Sequence, residues 1–340
     1  MKMIQVIHCA KRQYVLYIIF SHAIINEVFK KLIIFYESEK KMETTNMNLT
    51  GKASIDKPWL KYYPEELHNM ETPKITLEEF LKMKNPDDSK IAFEYYGNKI
   101  TWKTLWEEVD KAAKSLKVLG FGDGNRLPMF LPSTPAHYII LLAAERIGTA
   151  IICRDDIPEE LCFAIRKSKS NTAFVMDYTS KEDEQLFRET TPMTRMIKVS
   201  PYCYADKASV PDYVEKEIAS RYVNPTDSTE GVLTWDEFMA LGENYTEDYR
   251  AERNPDRAVF GAYTSGSTGI SKLIIHSSSN MVAVAFQMSI FIPPSPVQEK
   301  WWLPILPPAL IAVTVSMTLF PLSAGLIVVL DPFCPISDVD

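Results

Sequence analysis

The chain has 340 residues, of which 46% are hydrophobic and 24% charged, a composition typical of a folded globular protein and not of a disordered one. Its 44 acidic and 37 basic residues give a formal net charge of -7, so no overall positive field attracts nucleic acid or anionic lipid. The five cysteines form no C-x-x-C pair, which favours reduced thiols in a cytoplasmic protein over a disulfide framework or a zinc site.

Residues 1–41 differ from the rest, because they carry a net charge of +4 while the remainder carries -11. Their apolar run at positions 14–20 is too short to cross a bilayer, which requires about 20 apolar residues. We interpret this segment as a non-native or dispensable extension, with Met42 as the start; a weak signal peptide or an interfacial helix is the alternative. Residues 42–90 are polar and contain four prolines, and we expect them to form an arm that docks on a domain.

The segment IAFEYYGNKIT at 91–101 alternates between apolar and polar residues and predicts a β-hairpin with its turn at Gly97 and Asn98. Apolar residues then recur every three or four positions, which predicts an amphipathic helix. Thr101 is placed to cap the start of this helix, and Gly120 marks its end.

Strands and helices alternate through most of the remaining chain. Before position 200 we predict strands at 127–131, 150–153, 172–176 and 196–199, and helices at 135–147 and 158–168. Positions 202–255 lack this rhythm and are predicted to be irregular except for a helix at 235–241. Beyond them we predict strands at 258–262, 272–276, 301–306 and 326–330, and helices at 278–290 and 309–320. Single helices between strands indicate parallel βαβ units and therefore a layered α/β fold.

The segment AYTSGSTGISKLIIH at 262–276 places Gly266 and Gly269 among several hydroxyl side chains and ends with Lys272. A glycine-rich turn exposes backbone N–H groups that form a concave anion site, while hydroxyls add donors and a lysine adds charge. The sequence therefore predicts a polyphosphate site. A P-loop is disfavoured, because Ser271 and Leu273 replace the glycine and the magnesium-binding hydroxyl, and because a strand-like segment follows.

The motif YTSGSTGISK resembles the phosphate-binding signature of the adenylate-forming superfamily, Y-T-S-G-[ST]-T-G-x-P-K-G. Residues 100–152 resemble the opening subdomain of that family, and KPWLKYYPEEL at 57–67 resembles the docking arm of its acyl-CoA synthetase members. The resemblance spans positions 58–331. It implies the layered βαβ subdomains of an AMP-binding N-terminal domain at 91–340, incomplete at its C-terminus, with the C-terminal domain absent.

What the resemblance implies chemically is the ATP-dependent conversion of a carboxylic acid to acyl-AMP and pyrophosphate, followed by transfer to a thiol, usually that of coenzyme A. Mg²⁺ shields the phosphate charge, and no metal-ligating side chain is implied. Lys272 and Thr268 are the implied catalytic residues. The implied phosphate-binding residues are Thr264, Ser265, Gly266, Ser267, Thr268, Gly269 and Lys272.

The chain departs from the family pattern in two places. Ser271 stands where the signature has proline and Leu273 where it has glycine, so we expect a less rigid exit from the loop. Pro307, Pro308 and Ala309 lie where an aromatic residue or a histidine borders the acyl pocket in the family, which leaves the size of the acid open.

Two other functions remain open at this stage. One is a truncated, non-catalytic remnant that binds nucleotide, and the other is an adenylation domain that loads a carrier protein. The expected partners are a small or medium-sized carboxylic acid, ATP and coenzyme A, with neither nucleic acid nor a membrane span, in the cytoplasm. The fragment alone is expected to be inactive or partly active.

Overall fold

The computed structural model describes residues 50–154, 157–225, 230–264, 271–291, 301–304 and 306–333. The chain divides into two units, and within the described residues the smaller one comprises 50–71. This unit contains a short helix, α1 (Ala53–Asp56), and two 3₁₀ turns at Leu60–Tyr62 and Glu65–Leu67. The predicted extension at 1–41 lies outside the described residues.

The larger unit, Thr72–Cys334, has the mixed α/β architecture that the sequence predicts. Its helices are α2 (Leu77–Lys84), α3 (Trp102–Val118), α4 (Pro135–Ile147), α5 (Pro158–Ser168), α6 (Lys181–Thr190), α7 (Asp212–Arg221), α8 (Trp235–Ala240), α9 (Ser278–Phe291) and α10 (Phe320–Ser323). Its strands are β1 (Ile91–Tyr95), β2 (Asn98–Thr101), β3 (Arg126–Met129), β4 (Ala150–Cys153), β5 (Thr172–Met176), β6 (Arg195–Val199), β7 (Val232–Thr234), β8 (Ala258–Tyr263), β9 (Leu273–Ser277), β10 (Trp301–Trp302) and β11 (Ile327–Val329).

Two sheets organise this unit. The seven-stranded sheet has the order β7-β6-β5-β3-β4-β8-β9, and every neighbouring pair in it is parallel except β8 and β9. The four-stranded sheet has the order β10-β11-β1-β2, in which β1 and β2 form the antiparallel hairpin expected from the sequence. The parallel βαβ prediction is confirmed.

Local signals place several helices as expected. The Thr101 hydroxyl accepts a hydrogen bond from the Thr104 amide at 3.2 Å and caps α3. Pro135 is the first residue of α4, but the Thr134 side chain makes no capping bond. The start of α4 therefore depends on the fixed φ of proline and not on a side-chain cap.

Three helices of the larger unit were not predicted. Helix α2 lies in the segment interpreted as an arm, and its capping box joins Thr76 to Glu79. Helix α6 follows β5, and α7, together with β7, lies in the stretch predicted to be irregular apart from α8. Buried residues in α6 and α7 are few, Glu184 and Phe187 in one and Val214 and Ile218 in the other. Such sparse apolar positions give a weak periodic signal.

The helix predicted at 309–320 and the strand predicted at 301–306 differ in detail from the structure. The helix expected at 309–320 is a π-helical stretch, Val313–Leu319, that continues into α10. The strand expected at 301–306 is paired at Trp301–Trp302.

Buried polar contacts join α2, α4 and α9. The Glu145 carboxylate accepts hydrogen bonds from the Leu77 and Glu78 amides at 2.7 and 3.0 Å and from the Ser278 hydroxyl. Arg146 pairs with Glu78 through Nε and Nη2 at 2.8 and 2.9 Å. Burial raises the pKa of Glu145 to about 7. Because Ser278 directly follows β9, these contacts tie the end of β9 to α2 and α4. No helix among the described residues has the length and apolarity to cross a bilayer.

Candidate functional site

The candidate site lies at the carboxyl edge of the seven-stranded sheet. Met129, Cys153 and Ala262 lie side by side in the ladder, so β3, β4 and β8 end at the same level. The chain passes from β3 to β4 on one side and then returns across β3 to β5. In open α/β sheets, ligands bind beyond the carboxyl ends of the strands where the strand order reverses in this way.

The two ends of the glycine-rich segment are held together at this edge. The Thr264 amide donates to the Lys272 carbonyl at 3.0 Å, and the Lys272 amide donates to the Thr264 Oγ1 at 3.1 Å. Both side chains are exposed. Since the Thr264 oxygen accepts from Lys272, the hydroxyl proton can be donated to an anion.

The structure thus brings Thr264 and Lys272 together, although eight positions separate them in the sequence. A strand follows the segment, as expected for a strand-loop-strand unit, because β9 pairs antiparallel with β8. The other predicted phosphate-binding residues lie outside the described residues: Ser265, Gly266, Ser267, Thr268 and Gly269.

Strand β8 is packed closely at its centre. Gly261 pairs with Ile152 of β4 on one side and with Ile275 of β9 on the other. A Cβ at Gly261 would lie 2.6 Å from the Ile152 Cδ1 and 3.1 Å from the Ile275 Cδ1. The missing side chain therefore lets isoleucines from both neighbouring strands approach the strand that leads into the segment.

Arg154, which the sequence analysis did not single out, lies directly beside this segment. Its side chain is 8% exposed and pairs with Glu160 of α5 at 2.6 Å between Nη2 and Oε2. Its guanidinium carbon lies 4.5 Å from the centre of the Tyr263 ring, and its Nη1 donates to the Ser271 Oγ at 3.3 Å. The signal available in the sequence was its position directly after a buried strand, where functional side chains of α/β proteins gather.

The region expected to border the acid is the turn that precedes the π-helical stretch. The Thr314 hydroxyl donates to the Pro308 carbonyl at 2.8 Å, which ties the turn containing Pro307, Pro308 and Ala309 to the π-helical stretch. His276 on β9 is half-buried, and burial lowers its pKa.

No group of three or more histidine, cysteine, aspartate or glutamate side chains within the described part of the chain could hold a metal ion.

Comparisons with known proteins agree with this architecture. Among curated proteins, the acetyl-coenzyme A synthetase of Shewanella frigidimarina is 25% identical over 210 residues, which cover 60% of this chain and 30% of that protein. The acetyl-coenzyme A synthetase of Streptomyces avermitilis is 30% identical over 185 residues, covering 53% of this chain and 26% of that protein. The chain thus matches less than a third of these relatives' length.

Solved structures share the fold. Apo MatB from Rhodopseudomonas palustris superposes with a TM-score of 0.57 at 16% identity, covering 76% of this chain and 45% of that one. The inhibitor-bound N-terminal domain of FACL13 from Mycobacterium tuberculosis gives a TM-score of 0.52 at 16% identity, covering 76% and 57%. At the level of sequence, residues 82–339 match the AMP-binding enzyme family. The chain therefore belongs to the family of AMP-binding enzymes.

Proposed function

We propose that this chain is the nucleotide-binding part of an ATP-dependent acid-thiol ligase, which converts a carboxylic acid to acyl-AMP and then transfers the acyl group to coenzyme A. The observation that carries the proposal is the pairing of Thr264 with Lys272 at the carboxyl edge of the sheet. Membership of the AMP-binding enzyme family supports it. The names of the curated relatives favour a short-chain acid.

In this proposal the glycine-rich segment binds the β- and γ-phosphates of ATP. Thr264, Ser265, Gly266, Ser267, Thr268 and Gly269 supply backbone and hydroxyl donors. Lys272 supplies a positive charge, and with Thr268 it stabilises the charge that develops as pyrophosphate leaves. Donors fixed before the reaction stabilise such charge without reorganising, which is the usual source of catalysis in phosphoryl chemistry.

The reaction has two balanced steps. A carboxylate oxygen attacks the α-phosphorus and forms the acyl phosphate bond, while the bond to the β-phosphate breaks and releases pyrophosphate. The thiol then loses its proton to solvent, its sulfur attacks the acyl carbon, and AMP leaves with the electrons of the cleaved acyl–oxygen bond. Mg²⁺, which proteins commonly bind through substrate phosphates, would neutralise charge on the triphosphate.

The same proposal assigns the segments of the chain. Residues 91–340 contribute the nucleotide-binding domain, 42–90 an arm whose helix α2 is part of the larger unit, and 1–41 an extension. We also place the protein in the cytoplasm, where the free thiols of Cys153, Cys162 and Cys203 stay reduced.

The test is acid-dependent exchange of labelled pyrophosphate into ATP, measured over carboxylic acids of increasing length. It is run with the 340-residue chain and with the longest natural reading frame that contains it. We expect exchange with at least one acid, and thioester formation when coenzyme A is added. Exchange without a coenzyme A thioester would favour loading of a carrier protein. Nucleotide binding without exchange for any acid would overturn the proposal in favour of a non-catalytic remnant.

Lys272→Ala tests the assigned charge. We expect kcat/KM for ATP to fall by about 10²-fold, the usual loss when one charge-stabilising group is removed. The exposed Lys99→Ala on β2 is the matched control and should leave kcat/KM unchanged. Equal kcat/KM values for the Lys272 variant and the parent protein would remove this residue from the mechanism.

A further inference from the structure

We propose that Arg154 is a positioning residue of the ATP site, which holds the two ends of the glycine-rich segment in register. The inference rests on the proposed function for its kinetic consequence, but the contacts that carry it do not depend on ATP. We call the connected residues Glu160, Arg154, Ser271 and Thr264, the last joined through its backbone carbonyl, the Arg154 bridge.

The bridge joins three parts of the fold. Arg154 follows β4, Glu160 lies on α5, and Ser271 lies near the end of the glycine-rich segment, two residues before β9. Arg154 Nη2 lies 2.6 Å from Glu160 Oε2, and Nη1 lies 3.3 Å from Ser271 Oγ. The two contacts use separate nitrogens of one planar guanidinium group, an arrangement that lysine cannot reproduce.

The aromatic side chain that precedes Thr264 is held by the same group. The Arg154 guanidinium carbon lies 4.5 Å from the ring centre of Tyr263, a cation-π distance. On α5, Phe163 packs edge-on against the Tyr263 ring with centroids 5.9 Å apart. The last residue of β8 therefore lies between Arg154 and an aromatic residue of the neighbouring helix.

Ser271 transmits the contact to the other end of the segment. Its hydroxyl donates to the Thr264 carbonyl at 2.7 Å, and the Thr264 amide and hydroxyl pair with Lys272. Arg154 thus acts on Thr264 and Lys272 through one intervening serine. A shift of Ser271 would move both of these residues.

The charge of Arg154 is already compensated within the protein. Glu160 neutralises it, the face of the group lies on Tyr263, and only 8% of the side chain is exposed. A group placed this way is suited to orienting neighbours, whereas a phosphate-binding arginine presents its fork to the ligand.

The sequence gives a reason for the bridge. Ser271 stands at the position where the signature that this chain resembles has proline. Proline fixes φ covalently, so it restricts the exit of a loop without side-chain contacts. A serine lacks this restriction, and here its hydroxyl is held by two hydrogen bonds instead.

The experiment combines hydrogen exchange with ATP kinetics in the full chain. Arg154→Ala should raise the exchange rates of the Thr264 and Lys272 amides, and the KM for ATP, by roughly tenfold each, the effect of losing one charge-assisted hydrogen bond. The KM for the acid should not change. Arg166→Ala on α5, an exposed arginine that donates to the Thr190 carbonyl, is the matched control and should change none of these values.

Two further variants separate positioning from charge. Arg154→Lys keeps the positive charge but lacks the planar guanidinium group that makes both contacts. We therefore expect its amide exchange rates and its KM for ATP to match those of Arg154→Ala. Glu160→Gln should also raise the KM for ATP if Arg154 positions Ser271. If Arg154 instead binds phosphate, freeing it from Glu160 would lower the KM, and that result would overturn the proposal.

The decisive step is a double-mutant cycle with Ser271→Pro. Proline should restrict the loop exit independently of Arg154, so adding Arg154→Ala should then raise the KM for ATP less than twofold. An undiminished tenfold loss in the proline background would contradict the proposal. Unchanged amide hydrogen exchange in Arg154→Ala would contradict the proposal, whether or not any acid supports pyrophosphate exchange into ATP. If only the proposed function fails, the amide hydrogen exchange of Thr264 and Lys272 should still increase in Arg154→Ala.

Discussion

The two strands that flank β8 hold it in different ways. All four residues of β4 are buried, and the strand runs parallel to β8 within the core. None of the five residues of β9 is buried, and Ile274 and Ile275 are 43% and 37% exposed. The inner side of β8 is therefore anchored by apolar packing, while its outer side depends on the strand ladder and a few polar contacts. Lys272 belongs to the outer side, so its position rests on contacts that single substitutions can remove.

Ile152→Ala is expected to have the largest effect on stability. Ile152 is fully buried on β4 and packs against Gly261, so its truncation leaves a cavity beside β8. We expect a loss of about 3 kcal/mol in the free energy of unfolding, within the range for buried aliphatic side chains. Urea unfolding at neutral pH measures this loss, and the slope with denaturant should stay constant. A cost below about 1 kcal/mol would show that packing against β4 does not anchor β8.

Two histidines, one on α4 and one on β9, extend the comparison to acid stability. His137 on α4 is fully buried, its Nδ1 proton is donated to the Leu131 carbonyl at 3.1 Å, and burial lowers its pKa to about 4. Between pH 6.5 and 4 the unfolded chain protonates this group and the folded protein does not, so stability is lost as the pH falls. The loss approaches roughly 3 kcal/mol across this window.

His137→Asn retains a donor near the Leu131 carbonyl but cannot bind a proton, so it should reduce the acid-induced loss of stability by that amount. The measurement is urea unfolding at several pH values, because carboxylates contribute equally to both proteins. His276→Asn on β9 is the matched control and should change the pH dependence much less, since His276 is only half-buried. Parallel pH profiles for the parent protein and His137→Asn would contradict the burial argument.

The difference between the inner and outer strands also explains what the sequence could predict. Strand β4 and helix α4 were placed because continuous apolar runs and a proline at the helix start are local signals. Helix α7 was missed because two buried residues, Val214 and Ile218, give too little periodicity. The order that sets β5 beside β3 depends on packing between distant segments and has no local signature.

The same division applies to the candidate site. The glycine-rich motif predicted a turn between strands at 258–262 and 272–276, and both strands are present. Arg154 was missed because its partners, Glu160, Tyr263 and Ser271, come from different elements. A single sequence shows that a polar residue follows a buried strand, but it does not show which neighbouring strand that residue reaches.

Ile275→Ala is expected to have the smallest effect, and it completes the comparison because Ile275 pairs with the same glycine as Ile152. Its side chain already contacts solvent, so truncation removes less buried apolar surface, and we expect a loss of about 1 kcal/mol or less. Urea unfolding under the conditions used for Ile152→Ala gives the direct contrast. A loss as large as that of Ile152→Ala would mean that β9 is also anchored by apolar packing. Packing of β9 on β8 would then set the position of Lys272. The two strands would hold both ends of the glycine-rich segment without polar side-chain contacts.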